Sequence, residues 1–392
     1  MTAPTNIGEA AASLVGREAA LADLVAETRA HRLVTVLGPA GVGKTRLAEE
    51  VGRRELARYQ GGVWIVDLTT AASALDLCGA VAAALDVPLL ADDSALKAAR
   101  QVALALEARG PALVVLDNLE QLLPEAAPIV GALVAGARGV RFLVTSRRAA
   151  RVPGEALFEL APLSFGDSAS PAVALFLERA TAEVRGFSPS DAERSDVDEI
   201  VARLDGLPFA IELAAARLRV LGTGELAAKL REGFDVLGAA PRTGRGDTLE
   251  GAIAASWELL AATEATALAE LSVCRGGFTL DAAADVLTLA PGKKGRPEAA
   301  LVIVQALVDH SLVHSTAYAG GGRRFKILES VRAFAGRRLA DAAATKATEA
   351  RHAAHFLERA RGDVKWLEVE SENLFAVAGR ALADPNPAAA GR

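Results

Sequence analysis

The octapeptide GPAGVGKT, residues 38–45, fits the pattern G-x-x-x-x-G-K-[ST] at every position. That spacing suits the chemistry of a phosphate chain. Gly41 and Gly43 let the backbone wrap closely around phosphate oxygens with its N–H groups turned inward. The N-terminus of a following helix adds a partial positive charge. Lys44 would reach the terminal phosphates of a nucleoside triphosphate, and the Thr45 hydroxyl would help hold magnesium. The candidate cradle therefore comprises Gly38, Pro39, Ala40, Gly41, Val42, Gly43, Lys44, Thr45 and Arg46. A chance glycine-rich turn would lack the flanking context seen here, with LVTVL before it and TRLAEEVGRREL after it.

A second stretch, ALVVLDNLEQLL (112–123), reads as a buried strand ending on Asp117. A strand-end aspartate in the same sheet is where a magnesium-linked carboxylate belongs. The plainer alternative is a cap on a helix beginning near Leu119, and the two roles are compatible. The next position, where nucleotide-hydrolysing enzymes often carry a second acid, is Asn118. An amide cannot accept a proton as a carboxylate does, although it can orient water. Glu120 is the nearest acid. Its place in the sequence suggests a residue at the start of a helix, favoured there by the helix dipole and pointing elsewhere. Slow hydrolysis is the expectation, and with it a switch rather than an engine.

The elements that must position these groups alternate in type. Short β-branched runs at 33–37, 63–68, 112–116, 140–145 and 156–160 are separated by helical windows at 44–58, 73–85, 94–109 and 119–137. This alternation predicts an α/β domain with a mainly parallel sheet covered on both faces. After Pro162 the pattern is helical, at 171–183, 191–204, 208–221, 224–232 and 248–260, with RTGRG (242–246) as the clearest linker. Phe209, Leu213, Ala216 and Val220 would share the core face of one helix. Helices at 264–272, 279–288 and 297–309, then a hairpin from SLVHST (311–316) and RRFKIL (323–328) around AYAGGG (317–322), suggest a winged helix. Helices at 329–343, 346–361 and 364–382 follow, and the tail 384–392 is expected to fray.

Composition narrows the classes. At 392 residues the chain is expected to hold roughly two to four domains. With 51% hydrophobic and 23% charged residues it belongs with folded proteins. A net charge of −6 offers no electrostatic footprint for nucleic acid or a membrane surface. The first thirteen residues lack a basic start followed by an apolar stretch, so no signal peptide is visible, and no apolar run is of membrane length; a cytoplasmic location is expected. Cys78 and Cys274 read as buried apolar thiols suited to a reducing compartment. His352 and His355 lie one helical turn apart without a third ligand in view, and a solvated helix face is the expected reading.

SLVGRE (13–18), the cradle, VVLDN (114–118), FLVTSRR (142–148), RVPGE (151–155) and GLPFAIELAAARL (206–218) occur in one order. TLEGAIAASWELL (248–260), LSVCRGGFTLDAAADV (271–286) and FKILESVRAFAGRRL (325–339) follow them. In this order they resemble the NB-ARC-type STAND ATPases, particularly the bacterial regulator branch, over about residues 13–375. The resemblance implies a P-loop NTPase core, an all-α helical domain, a winged-helix domain and C-terminal helices. It divides the chain into a flexible N-terminus (1–12), the NTPase domain (13–163), the helical domain (164–240), the winged helix (247–343), helices leading towards a helical-repeat sensor (344–383) and a tail (384–392).

It also implies ATP and ADP as ligands with Mg2+, a closed ADP state, and opening or self-association on exchange for ATP. Val15 and Arg17 would lie by adenine and ribose, with the backbone at Val15 reading the base. Arg147 would sense the γ-phosphate, and Pro208 would pack near the adenine. Each has a plainer alternative: Arg17 as a solvated helix residue, Arg147 as a loop arginine beside Arg148 and Arg151, and Pro208 as a first helical residue. The chain departs from many eukaryotic relatives at Leu328, which stands where their histidine contacts the diphosphate.

About a dozen residues precede VGRE and the chain stops at the lead-in to the sensor, so either it is a piece of a longer regulator or its sensor and effector are other protein chains, which are then the expected partners. Two rivals stand against this reading. A metabolic P-loop enzyme would need a second reactive constellation, and none appears. A DNA-binding regulator would use the basic loops GKKGR (292–296) and GGGRRFK (320–326), with Arg323, Arg324 and Lys326 on phosphates.

Overall fold

The computed structural model describes residues 3–8, 14–89, 94–167, 169–238, 248–288, 296–317, 322–360 and 364–383. It divides into two compact units, Met1–Ala228 and Lys229–Arg392. The expected linker at 242–246, most of the basic loop at 292–296, the hairpin tip at 318–321 and the tail lie outside the described residues.

The first unit is built on five parallel strands: β1 (Leu33–Leu37), β2 (Gly62–Asp67), β3 (Ala112–Asp117), β4 (Val140–Ser146) and β5 (Glu155–Glu159). Their order is β2-β3-β4-β1-β5, so the cradle strand β1 lies between β4 and β5. Helices α1 (Glu18–Ala30), α2 (Lys44–Glu55), α3 (Ala74–Ala84), α4 (Ala95–Ala108) and α5 (Ala127–Gly136) cover it. Val114, Leu116, Phe142 and Val144 share a buried cluster with Leu77, Val102 and Leu133 of α3, α4 and α5. The alternate residues Leu113, Val115 and Leu143 are also fully buried, on the face that α2 covers. Two covered faces explain why these strands read as unbroken apolar runs.

Four further helices complete the unit or span its edge: α6 (Pro171–Glu183), α7 (Asp191–Arg203), α8 (Pro208–Arg217) and α9 (Thr223–Glu232). Pro171 and Pro208 each occupy the first turn of their helix, where a missing N–H costs nothing. Ser190 and Glu193 form a capping box that starts α7.

Three expectations for this unit need correction. The window 119–137 is not one helix: a 3-10 turn covers Leu119–Leu122, and α5 begins only at Ala127. Pro124 cannot continue a helix, whereas Pro128 suits the start of the next one. The helix from Pro208 ends at Arg217, which leaves Val220 84% exposed rather than on a core face. The N-terminal stretch does not stand clear of the fold. Thr5 bridges Val63 in parallel, and the Asn6 side chain both accepts from Ile65 N and donates to Ile65 O, so Pro4–Asn6 covers the edge of β2.

The second unit holds α10 (Leu249–Trp257), α11 (Ala262–Leu271), α12 (Leu280–Val286) and α13 (Arg296–Asp309), then the antiparallel ribbon β6 (Val313–Ala317) and β7 (Arg323–Ile327). Phe278 adds a bridge to Phe325 through two 2.8 Å backbone bonds, so the ribbon gains a third strand residue. Helices α14 (Glu329–Asp341), α15 (Thr345–Arg359), α16 (Val364–Val369) and α17 (Ser371–Ala383) follow. The expected single helix over 364–382 is thus two, broken at Glu370.

The solvated face expected for His352 and His355 is also wrong. Both are buried, because α15 packs against α12 and α17. His355 Nδ1 lies 2.8 Å from Asp285, and His352 Nδ1 accepts from Arg380 at 2.9 Å while Nε2 donates to Asn373 Oδ1 at 3.1 Å. Burial first, then Arg380 and His355, push His352 down to about 4, against the Asn373 bond and Glu370. The unfolded chain therefore binds this proton near pH 6.5 and the folded one only near 4, so stability falls as pH drops through that window. Between pH 7 and pH 5 the loss is expected to be about 2 kcal/mol. Urea titrations at the two pH values check it, and His352→Gln should flatten the dependence.

Both cysteines are buried and free, with burial pushing Cys78 up to about 11 and Cys274 to about 12. Among the described residues no helix is long and apolar enough to cross a membrane.

Candidate functional site: a phosphate cradle at the strand ends

β1 delivers the chain to the cradle and α2 carries it away. Gly41 and Gly43 adopt φ of +78° and +96°, which side chains rarely tolerate. A Cβ on Gly41 would stand 3.0 Å from the Phe209 Cβ, whereas one on Gly43 would meet nothing within 4 Å. The first glycine thus permits close packing from α8, and the second faces open space. Lys44 opens α2, is 8% exposed, and donates from Nζ to Gly38 O at 2.8 Å and Pro39 O at 3.0 Å. Burial pulls its ammonium down to about 8; Glu120 and Asp117 oppose that shift and Arg147 adds to it.

Thr45 Oγ1 donates to Asp117 Oδ1 at 2.7 Å, and the Thr145 hydroxyl donates to the same oxygen. Burial raises the Asp117 carboxyl, against the lowering effect of those two bonds, with Asp67 and Glu120 pushing the same way as burial. In register, Asp67 lies beside Asp117 on the neighbouring strand. Asp117 makes its side-chain contacts with Thr45, Thr145 and Asn118, so the capping alternative is not the arrangement found. Thr145 is a site residue that sequence reasoning passed over, although it sits in the FLVTSRR stretch already singled out.

Asn118 is left-handed, with φ 63° and ψ 45°. Its N–H donates to Thr145 Oγ1, and its Nδ2 donates to Thr69 Oγ1 at 3.1 Å and to Asp117 Oδ2 at 3.2 Å. This turn brings Glu120 back over the strand ends, contrary to the expectation that it points elsewhere. Glu120 is 4% exposed. Its Oε1 lies 2.9 Å from Arg147 Nε, and its Oε2 is buried without a hydrogen-bond partner. Arg147, just past the end of β4, thereby joins Lys44, Asp117 and Glu120 in one electrostatic cluster.

Arg17 is 9% exposed and not the solvated helix residue of the plainer reading. It donates to Ala161 O at 2.7 Å and Val42 O at 3.0 Å, fastening the cradle to the chain beyond β5, and burial lowers it to about 10. Val15 is half-buried, and a Cβ on the adjacent Gly16 would collide with Pro171. Pro208 is half-buried in the first turn of α8, where Phe209 N donates to Gly41 O at 3.2 Å. Arg46 and Arg179 share Glu212 Oε1 at 3.4 and 3.1 Å, which ties α2 to α6 and α8. Leu328 is buried at the N-cap of α14 in the second unit.

Among the described residues no group of three or more His, Cys, Asp or Glu could hold a metal by itself. A magnesium ion does not need one, since it keeps waters and shares substrate phosphates with one or two protein oxygens. Thr45 and Asp117 form such an oxygen pair.

A model of the AAA domain matches residues 27–143, and a model of the winged helix-turn-helix domain matches residues 260–340. The uncharacterized protein Rv0894 of Mycobacterium tuberculosis is 34% identical over 348 residues, covering 88% of this chain and 85% of that protein. The chain belongs to its family. This chain combines a P-loop ATPase domain of the AAA type with a C-terminal winged helix.

Longer relatives include the protein named HTH-type transcriptional regulator Rv0890c of Mycobacterium tuberculosis, 34% identical over 313 residues or 79% of this chain. The regulatory protein AfsR of Streptomyces griseus is 31% identical over 336 residues or 80% of this chain. The chain spans about a third of the length of each, 34% and 31%. The Walker-type ATPase PABY2304 of Pyrococcus abyssi shares the fold, with a TM-score of 0.55, 15% identity, and coverage of 83% of this chain and 96% of that one.

Proposed function

We propose that this chain is an ATP- and ADP-binding switch of the NB-ARC-type STAND class that hydrolyses ATP slowly and works in signal transduction. The observation that carries the reading is the Thr45–Asp117 contact beneath a P-loop whose lysine is buried. Lys44 and the backbone N–H groups of residues 41–45 would take the phosphates, and Thr45 with Asp117 would hold Mg2+. The donor chemistry fits, because Thr45 and Asp117 offer hard oxygen ligands 2.7 Å apart. When bound, the ion would neutralise phosphate charge.

Arg17 and Phe209 grip the cradle from two sides, which supports placing the adenosine near Val15, Arg17 and Pro208. The committed amide of Asn118 supports slow turnover. The domain division at 163 and 240, a cytoplasmic location, and sensor or effector chains as partners belong to the same proposal. The name of one longer relative, Rv0890c, suggests an output in transcription. Leu328 is apolar, so the histidine contact to diphosphate has no counterpart at that position.

Denaturing freshly purified protein and identifying the released nucleotide by chromatography tests the reading. Near-stoichiometric ADP is the expected result. An empty protein that steadily turns over added ATP would replace the switch with a constitutive ATPase.

A further inference from the structure

Glu120 has an arrangement that core packing does not explain. It is a buried carboxylate with one oxygen held by Arg147 at 2.9 Å and the other without any hydrogen-bond partner. A buried acceptor left unmade is costly, and a water molecule donating to it would remove that cost. Glu120 also stands close enough to Lys44 and Asp117 to act on both electrostatically. It is therefore a second acid at the site, reached by the left-handed turn at Asn118 rather than by adjacency to Asp117. Asn118 has its amide donors engaged with Thr69 and Asp117.

We propose that Glu120 accepts the proton of the attacking water, and that its ion pair with Arg147 holds it back until the γ-phosphate of ATP draws the guanidinium away. The proposal rests on the nucleotide reading above. The water oxygen bonds to the γ-phosphorus, the bond from that phosphorus to the β-phosphate oxygen breaks, and its electron pair leaves with ADP. The water proton passes to Glu120 Oε2 and is later returned to solvent. ADP carries no γ-phosphate, so the pair stays closed and the switch stays silent. ATP competes with a carboxylate for one guanidinium, and that competition weakens ATP binding relative to ADP.

Glu120→Gln separates these effects, because glutamine keeps the shape and an oxygen acceptor but loses the charge. In the full chain with Mg2+, the ratio of ATP to ADP affinity should rise about tenfold, with ADP affinity unchanged. Single-turnover phosphate release should fall on the order of a hundredfold, the scale of a lost general base. Arg147→Gln breaks the pair from the other side and should lower the ATP preference without weakening ADP.

An equal rise for both nucleotides in Glu120→Gln would mean simple charge removal and would overturn the latch. Release at the wild-type rate would overturn the base. Should Glu120→Gln fail to fold, an unchanged ATP:ADP ratio in Arg147→Gln overturns the latch alone. Wild-type protein that binds neither nucleotide would instead overturn the nucleotide reading itself.

Discussion

Lys44→Ala is expected to weaken ATP and ADP binding by about a hundredfold or more while leaving the fold intact. Truncating one member of a buried charge pair costs about 2–5 kcal/mol in binding, and each 1.4 kcal/mol is tenfold. Lys44 has the properties that make this loss large. Its ammonium is buried, so water cannot replace it, and it donates to two cradle carbonyls that a phosphate chain could displace or share. The fold should survive because α2 is anchored by Leu47, Ala48 and Val51, all fully buried. Lys44→Met, which keeps an apolar stem of similar length, should behave alike. Calorimetric titration with each nucleotide decides it, and wild-type affinity in the methionine variant would remove the cradle from consideration.

The cradle was legible because its residues are contiguous and their reason for existing is local. Glycines at positive φ, a lysine at the start of a helix and an apolar strand before them all appear within one short stretch. Asp117 was legible for the same reason, as the polar end of an apolar run. Thr145 and Glu120 were not, because their roles depend on which strands are neighbours. The order β3-β4-β1 brings Thr145 to the Asp117 carboxylate across a strand pair that sequence alone does not announce. Glu120 depended on one residue's backbone. A right-handed Asn118 would have begun a helix and carried Glu120 outward; the left-handed one folds it back.

Helix boundaries failed where tertiary structure overrode periodicity. Val220 continues the apolar face of α8 in the sequence, yet the helix has already ended at Arg217. The histidines of α15 failed for a related reason. Two polar residues one turn apart look like a wet face until Asp285, Asn373 and Arg380 arrive from other elements to satisfy them.

Arg324→Ala is expected to destabilise the second unit by roughly 3–5 kcal/mol, the usual consequence of leaving a buried charge without its partner. As a member of the basic run RRFK, Arg324 resembles a residue that could lie on nucleic-acid phosphates. The structure gives it other work. It is 6% exposed, and its Nη1 and Nη2 donate to Glu370 at 2.5 and 2.9 Å. Its Nε reaches Gly276 O at 3.0 Å, and Nη2 also reaches Gly277 O at 3.2 Å. Glu370 sits where α16 breaks from α17, so this guanidinium links the ribbon strand β7 to the C-terminal helices.

Without the arginine, Glu370 would keep the Asn373 amide at 2.8 Å, too little for a buried carboxylate. Arg324→Ala combined with Glu370→Ala should recover part of the loss, because the uncompensated charge is gone. Urea unfolding of the single and double variants gives the coupling directly. Stability within about 0.5 kcal/mol of wild type in the single variant, the range of an ordinary surface substitution, would show that the pair is not structural and would return Arg324 to the pool of residues free to meet a nucleic acid.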